Sequence, residues 1–200
     1  MDHQTPIVTH LRDGTRVLLR AARPSDAGAL KQGFADLSKH SRLMRFLSPS
    51  PALREAALAR FVSPDHTRHI ALGALVLDGG SDPIPAAIAH AFRAKADSPK
   101  AELALTVADA FQGKGLGTLL LGRLLRAAAF QRIQALDALV HPTNRAMAGL
   151  MTALGATPVR NSGDRAFVLP VHADPARYPD TRAGNAVRAA WHIPAEPAAA

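Results

Sequence analysis

The sequence predicts an α/β fold built as a single domain. Residues 102–107 alternate in polarity as a β-strand does, and a glycine-rich turn and an amphipathic helix follow them. Residues 136–155 repeat the order of strand, turn and helix, and residues 7–37 start the chain with an extended pair and a helix. The 200 residues, 48% of them hydrophobic, are enough for one domain with a large core.

The N-terminal elements follow from turn and cap residues. Asp13 and Gly14 predict a hairpin turn, and a strand over 16–20 follows it. A helix is predicted to start at 24–26 with Ser25 as its N-cap, because a serine side chain can accept a free backbone N–H. The spacing of its apolar residues predicts a buried stripe made of Leu30, Phe34 and Leu37.

Residues 38–51 form a basic segment, which its prolines are expected to end. Taken alone, the segment is interpreted as a basic connector between helices. The next predicted elements are a helix over 52–62, strands over 68–77 and 84–92, and a turn between them at 78–83. His90 falls in the second of these strands, where a histidine is more often packed than catalytic, and no role is assigned to it.

Residues 102–117 carry the most informative pattern. In the strand, Leu103, Leu105 and Val107 face one way, and Glu102, Ala104 and Thr106 face the other. Three glycines, Gly113, Gly115 and Gly117, then open a helix with leucines at helical spacing. The first N–H groups of a helix are unpaired and carry the positive end of its dipole, so they favour an anion such as a pyrophosphate. A glycine-rich helix start without a ligand is the alternative.

The C-terminal third continues the same order of elements. It predicts a strand over 136–140, a turn at Pro142, a helix ended by Gly155, and a pair of strands over 157–160 and 166–169 around a turn at 161–164. From His172 the chain is rich in proline and alanine, and residues 172–200 are interpreted as an extended, partly disordered tail after a domain at 1–171. The alternative is that Trp191 anchors this tail on its own domain or on a second subunit.

Composition excludes several classes of function. The absence of cysteine excludes disulfides, thiolate zinc sites and cysteine nucleophiles, and no metal site is expected. No apolar run could span a membrane and the first six residues lack a signal-peptide core, so a soluble cytoplasmic protein is expected. The net charge of +8 fits a basic surface, attraction of an anionic ligand or nucleic acid. Nucleic acid is disfavoured because no helix-turn-helix, zinc or aromatic stacking motif is present.

Spacing excludes two common phosphate-binding motifs. The P-loop requires Gly-Lys followed by Ser or Thr, and the dinucleotide fingerprint would need glycine in place of Thr118. The pattern Q-x-x-G-x-G does fit, as Gln112–Gly117. In this pattern the sequence resembles the acyl-CoA pyrophosphate loop of the GNAT N-acetyltransferase superfamily.

Further segments carry the same resemblance in the same order, across roughly residues 10–171. They are Arg23–Ala27 (R-P-x-D-A), Asn144–Met147 (N-R-A-M) and Leu154–Ala156, where Ala156 replaces an aromatic residue. The resemblance implies the GNAT fold, with a mixed central β-sheet flanked by helices, and acetyl-CoA as co-substrate. It also implies a set of cofactor-binding residues: Leu105, Val107, Gln112, Gly113, Lys114, Gly115, Leu116, Gly117, Thr118 and Asn144. A bulge in the strand near Val107 would free a backbone N–H for the thioester carbonyl.

Two segments resemble the bacterial protein lysine acetyltransferases within that superfamily. Leu37–Phe46 matches L-S-x-x-S-R-x-x-R-F, with Leu43 where that group often has tyrosine, and this region would cover the acceptor slot. Ala101–Ala104 matches A-E-x-A, which implies that Glu102 is the general base. The alternative for Glu102 is a surface carboxylate paired with Lys100 or an arginine.

The superfamily often uses a tyrosine to protonate the leaving thiolate, and Met151 stands at that position here. A general acid would then come from elsewhere or be unnecessary, since a thiolate is a fair leaving group. The function expected is acetyl transfer to a protein lysine by a monomer or homodimer. Transfer to a small amine and a non-catalytic CoA-binding regulatory domain remain the alternatives.

Overall fold

The computed structural model describes residues 5–47, 53–77, 82–160 and 165–194. In these ranges eight strands form one sheet in the order β1-β2-β3-β4-β5-β6-β8-β7. Its strands are β1 Ile7–His10, β2 Arg16–Ala21, β3 His69–Val76, β4 Ile84–Phe92, β5 Lys100–Val107, β6 Ala135–Val140, β7 Thr157–Arg160 and β8 Arg165–Pro170. The helices are α1 Ala27–Asp36, α2 Lys39–Phe46, α3 Glu55–Phe61, α4 Leu116–Phe130, α5 Arg145–Ala153 and α6 Arg182–His192. The expected mixed sheet flanked by helices is confirmed.

The two faces of the sheet carry different helices. On β5, the side chains of Leu105 and Val107 face α4, because a Cβ added at Gly117 would lie 3.6 and 3.3 Å from them. Thr106 faces the opposite side, where α1, α2 and α3 lie. The core on the α4 side is closed by leucines that are fully buried: Leu116, Leu120, Leu121, Leu124 and Leu125.

The sheet opens between β5 and β6, its one parallel pair among the described strands. Their pairing runs only from Lys100 opposite Ala135 to Glu102 opposite Asp137. Beyond that point β6 pairs with β8 alone, while β5 continues alongside β4 in regular register as far as Val107. The predicted bulge in β5 is therefore wrong, and the edge of β5 is opened by the separation of the two strands instead.

The predicted N-cap at Ser25 is also wrong. Pro24 begins a short 3₁₀ turn, so α1 starts later and its N-cap is Asp26. The Asp26 carboxylate instead accepts the backbone N–H of Arg23 at 2.8 Å and two bonds of 2.7 Å from the Arg20 guanidinium. These bonds tie the start of α1 to strand β2.

The basic segment after α1 is a helix rather than a connector. Ser38 caps α2 by accepting the backbone N–H of Ser41 at 3.1 Å. Three predictions fall outside the described residues: the end of the basic segment at its prolines (48–51), the centre of the turn at 78–81, and the turn at 161–164.

The extended tail predicted from His172 is wrong for residues 175–192, where a 3₁₀ turn and helix α6 are found. Helix α6 packs directly on α4, because a Cβ added at Gly122 would lie only 2.8 Å from the Cβ of Ala190. Arg126 donates to the carbonyl of Trp191 at 2.9 Å, and Tyr178 is buried. Trp191 is partly buried against the core, so this segment packs on its own domain, as one of the alternatives had it. Residues 195–200 lie outside the described ranges.

Candidate active site

A cleft of about 1510 Å³ opens where β5 and β6 separate. One side is formed by β5 and the turn that leads into α4, and the other by β6 and α5. Helix α2 lies at one end of the cleft, and α6 contributes to its wall. Leu139 on β6 lines this opening, and its side chain is therefore 48% exposed.

Each of the three glycines in the turn has its own structural reason. Gly113 and Gly115 adopt φ values of 73° and 88°, in the left-handed region where other residues are strained. Gly117 has an ordinary conformation but lies against β5, where an added Cβ would be 3.3 Å from Val107. The turn can therefore bring backbone N–H groups to the cleft surface without intervening side chains.

The N-terminus of α4 is suited to an anion. Its N-cap is Gly115, which supplies no side-chain cap, whereas α2, α5 and α6 are capped by Ser38, Asn144 and Thr181. Helix geometry leaves the first N–H groups of α4 without an intrahelical acceptor, and the helix dipole adds partial positive charge there. Leu116 is buried and can offer only its backbone, while Gly117 and Thr118 line the cleft.

Two of the predicted cofactor-binding side chains make bonds within the protein. The Gln112 amide donates to the carbonyl of Val107 at 3.0 Å and to Ser41 Oγ at 3.1 Å. Asn144 Oδ1 accepts the backbone N–H of Met147 at 3.0 Å as the cap of α5. Both residues line the cleft, and their bonds hold its two sides in shape.

Lys114 is paired across the turn. Its Nζ lies 3.5 Å from Asp13 Oδ2 in the β1–β2 hairpin. Both side chains are well exposed, so the pair contributes little to stability, and Lys114 remains available to an anion at the mouth of the cleft.

Helix α2 is joined to both sides of the cleft. On the β5 side, Asp109 accepts Ser41 Oγ at 2.5 Å and the N–H of Ser38 at 2.9 Å. On the β6 side, Thr143 Oγ1 lies 3.7 Å from Met44 Sδ. The segment predicted to cover the acceptor slot therefore bridges the opening of the sheet.

Glu102 is exposed and lines the cleft. Lys100, its predicted alternative partner, lies 3.7 Å from Asp137 instead. Arg45 on α2 feels the charge of Glu102: burial lowers the pKa of Arg45 to about 10, and the negative charge of Glu102 opposes that shift. Among the described residues Arg45 Nε is buried and has no hydrogen-bond partner. The site thus combines a carboxylate open to a substrate with a cation held close to it.

A pair of buried histidines was missed as a feature from the sequence. His69 Nε2 lies 3.0 Å from His90 Nδ1, and both rings pack against Phe92. Burial lowers the pKa of His69 to about 4 and the pKa of His90 well below its ordinary value, so both are neutral at pH 7. The turn predicted between β3 and β4 makes these strands neighbours, but only their register shows that the rings of His69 and His90 meet.

Met151, at the position of the missing tyrosine, is fully buried in the core. A thioether carries no proton to donate, so this residue supplies no general acid. Within the described ranges no group of three or more histidine and carboxylate side chains is placed to hold a metal ion. None of the helices in the described part of the chain is both long enough and apolar enough to cross a membrane.

Comparison with known proteins identifies relatives of this arrangement. The sequence model of the family described as "Acetyltransferase (GNAT) domain" matches residues 16–157. The chain is 32% identical over 156 residues to acetyltransferase Pat of Mycolicibacterium smegmatis, which covers 78% of this chain and 46% of that protein. It is 30% identical over 162 residues to acetyltransferase PA5475 of Pseudomonas aeruginosa, covering 81% of this chain and 86% of that protein.

Among solved structures, the GNAT domain of PAT from S. lividans superimposes with a TM-score of 0.75 at 27% identity. The match covers 82% of this chain and 96% of that domain. The chain spans about half the length of the M. smegmatis relative.

Proposed function

The chain belongs to the GNAT acetyltransferase family, and from this premise we propose that it transfers an acetyl group from acetyl-CoA to a protein lysine. The proposed mechanism is direct transfer in a ternary complex, with Glu102 as the general base. One observation carries the proposal: the cleft presents both the uncapped N-terminus of α4 and the open carboxylate of Glu102 on β5.

In this proposal the cofactor follows the opened edge of β5. Its pyrophosphate binds the first N–H groups of α4, at Leu116, Gly117 and Thr118, and the glycine turn allows the close approach. The pantetheine arm lies along β5 between Leu105 and Val107, where β6 no longer occupies the edge of the strand. Gln112 and Asn144 support this site by fixing its walls, since their side chains already bond to the protein.

The chemistry requires a neutral amine. A lysine has an ordinary pKa of about 10.4, so it must lose a proton before its nitrogen attacks the thioester carbon. Glu102 accepts this proton before the attack. The C–N bond then forms, the C–S bond breaks, CoA leaves as the thiolate, and the second proton that the nitrogen loses passes to water. The thioester carbonyl is proposed to lie beside Val107, five residues or roughly 16 Å along the strand from Glu102, so a chain of ordered waters carries the proton from the amine to the carboxylate.

The protein acceptor is supported by the segment Leu37–Phe46, which resembles the protein lysine acetyltransferases and forms α2 at the cleft. The basic residues of this segment, Lys39, Arg42 and Arg45, would repel a polycationic amine, which disfavours polyamines as acceptors. A small amine of lower charge is the second candidate. A non-catalytic CoA-binding domain is the third, and the open Glu102 carboxylate disfavours it.

The test is incubation of the protein with labelled acetyl-CoA and a cell lysate, followed by separation of proteins from small molecules. Label on protein lysines is expected from the wild type. Glu102→Gln keeps the size of the side chain and should lower the rate about 10²- to 10⁴-fold, with unchanged acetyl-CoA affinity. Label confined to small molecules would reject the protein acceptor, and an undiminished rate in Glu102→Gln would reject the base.

A further inference from the structure

A second space lies outside the cleft, between the sheet and helices α1 to α3. It is a cavity of about 390 Å³ with mostly apolar walls. The space exists because small residues line it on facing elements: Ala29 and Gly33 on α1, Gly73 on β3, and Ala87 on β4. Close-packed interiors contain few voids larger than a water molecule, whereas this volume lies in the range of small-molecule sites, about 300–1,000 Å³.

The cavity adjoins the cleft at the C-terminal end of β5. Three residues border both spaces: Arg45, Phe46 and Thr106. Thr106 directly precedes Val107, where the thioester is proposed to lie, and its side chain points to the α1 face of the sheet. Glu102, by contrast, lines the cleft and does not line the cavity.

We propose that this cavity is an acyl-chain pocket, so that the enzyme also uses linear acyl-CoA thioesters longer than acetyl-CoA. This inference rests on the proposed function. The thioester group lies in the cleft and the chain passes Thr106 into the cavity. The reaction is the same: a C–N bond forms, the C–S bond breaks, CoA leaves as the thiolate, and Glu102 takes the proton from the amine.

The chemistry of the walls selects an apolar chain over the acceptor amine. The Arg20 and Asp26 side chains at the cavity satisfy each other through two bonds of 2.7 Å. His90 is bonded to His69, and Arg45 at the border would repel an amine that is still protonated. A methylene chain needs no polar partner, whereas a charged group enters an apolar cavity only at a large cost.

The first measurement is calorimetric binding of acetyl-CoA, butyryl-CoA and hexanoyl-CoA to the full chain. Each buried methylene is expected to tighten binding at most about fourfold, which corresponds to ~0.8 kcal/mol. Ordering the chain offsets part of this gain, so hexanoyl-CoA should bind at least about tenfold more tightly than acetyl-CoA.

Helix α1 offers a matched pair of variants. Gly33 lines the cavity, and a Cβ added there would meet no atom within 4 Å. Gly33→Leu therefore fills the cavity without a clash of its Cβ. Gly28 lies on the same helix, also with open space around it, but does not line the cavity. Both substitutions improve helix propensity, so both variants are expected to fold.

Gly33→Leu should remove the preference for hexanoyl-CoA and leave acetyl-CoA affinity unchanged, while Gly28→Leu should change neither. Equal affinity of the wild type for acetyl-CoA and hexanoyl-CoA would overturn the pocket and leave the proposed function intact. The pocket would also be rejected if Gly33→Leu raised only the KM of the amine acceptor, because the cavity would then hold the acceptor. Absence of binding for every CoA thioester would overturn both proposals.

Discussion

Ser41 Oγ donates a hydrogen bond of 2.5 Å to Asp109 Oδ1, and this contact joins α2 to the turn before α4. Asp109 also accepts the N–H and the hydroxyl of Ser38 at 2.9 and 3.0 Å. Although burial acts in the opposite direction, the bonds from Ser41 and Ser38 hold the pKa of Asp109 below its ordinary value. Because Gln112 also bonds to Ser41, one network connects the proposed acceptor helix with the proposed cofactor turn.

The first prediction concerns this network. Asp109→Asn keeps the shape of the side chain but removes its charge and replaces one acceptor oxygen by an NH₂ group, so the charge-assisted bonds from Ser38 and Ser41 are weakened. We expect a loss of about 1–2 kcal/mol in the free energy of unfolding, and several-fold higher KM values for both acceptor and acetyl-CoA. Thermal melting and steady-state kinetics measure the two effects.

A matched control is Asp36→Asn on α1. Its carboxylate accepts a bond of 2.8 Å from Gln32 within the same helix, so it connects no two elements. It should leave both KM values unchanged. Equal kinetics for the two variants would show that the bonds of Asp109 do not couple the two substrates.

The second prediction concerns the proposed anion site at α4. Gly117→Glu places a negative charge at the helix start and bulk against Val107, so acetyl-CoA should no longer raise the melting temperature by mass action. Gly117→Ala separates size from charge: its Cβ lies 3.3 Å from Val107, and only a modest loss of affinity is expected. Gly28→Glu is the control for charge on an open helix position. Normal acetyl-CoA binding by a folded Gly117→Glu variant would exclude the α4 N-terminus as the pyrophosphate site.

Local patterns made the centre of the fold predictable. The alternation over 102–107 needs only a strand whose two faces meet different surroundings. Gly113, Gly115 and Gly117 predict a turn whose backbone a ligand can approach, and the structure adds that Gly113 and Gly115 adopt φ angles of 73° and 88°, which favour glycine. The opening between β5 and β6 could not be seen in this way, because it depends on where pairing stops after Glu102 and Asp137.

The missed elements depend on distant partners. Helix α2 is short and basic, and part of its stabilisation comes from Asp109, 71 residues after Ser38. Helix α6 lies in a segment whose proline and alanine content indicates an extended chain. It is held by close contact of Ala190 with Gly122 on α4, which no local pattern in either segment reveals. Arg45 appeared from sequence to belong to an exposed basic cluster, but its Nε is buried.

The third prediction separates the exposed Lys39 and the half-buried Arg42 on α2 from Arg45. Lys39→Glu with Arg42→Glu should raise the KM for a protein acceptor and weaken its salt dependence, because charges at a docking surface mainly steer encounter and are screened by salt. The KM for acetyl-CoA should hardly change. Lys31→Glu with Lys95→Glu makes the same change in net charge at exposed positions away from the cleft, and it should leave both values unchanged.

Arg45 calls for a different variant. Arg45→Gln removes the buried charge near Glu102, so it should lower kcat more than it changes the salt dependence of acceptor binding. The preceding double variant has its own contradicting outcome. If Lys39→Glu with Arg42→Glu gave the same kinetics as Lys31→Glu with Lys95→Glu, then Lys39 and Arg42 would have no part in acceptor recognition.

The fourth prediction concerns pH and the buried histidines. Burial lowers the folded-state pKa of His69 to about 4, and that of His90 also falls below the ordinary value of 6.5. The unfolded chain therefore binds more protons than the folded protein between pH 4 and 6.5, so this contribution to stability is complete above pH 6.5 and is lost as the pH falls. For His69 alone the loss between pH 7 and 5 is about 2 kcal/mol, or roughly 4–8 °C in melting temperature.

The variant that tests this contribution replaces both rings with a polar side chain that does not titrate: His69→Gln with His90→Gln. Its melting temperature at pH 7 should be lower, because the packing against Phe92 is lost, but the decline between pH 7 and 5 should be smaller than in the wild type. His172, whose pKa burial also lowers, contributes in the same window and supplies the control His172→Gln. Asp26, Asp65 and Asp109 have lowered pKa values and titrate below this window. An unchanged slope in the double variant would show that the histidine pair is not the source of acid sensitivity.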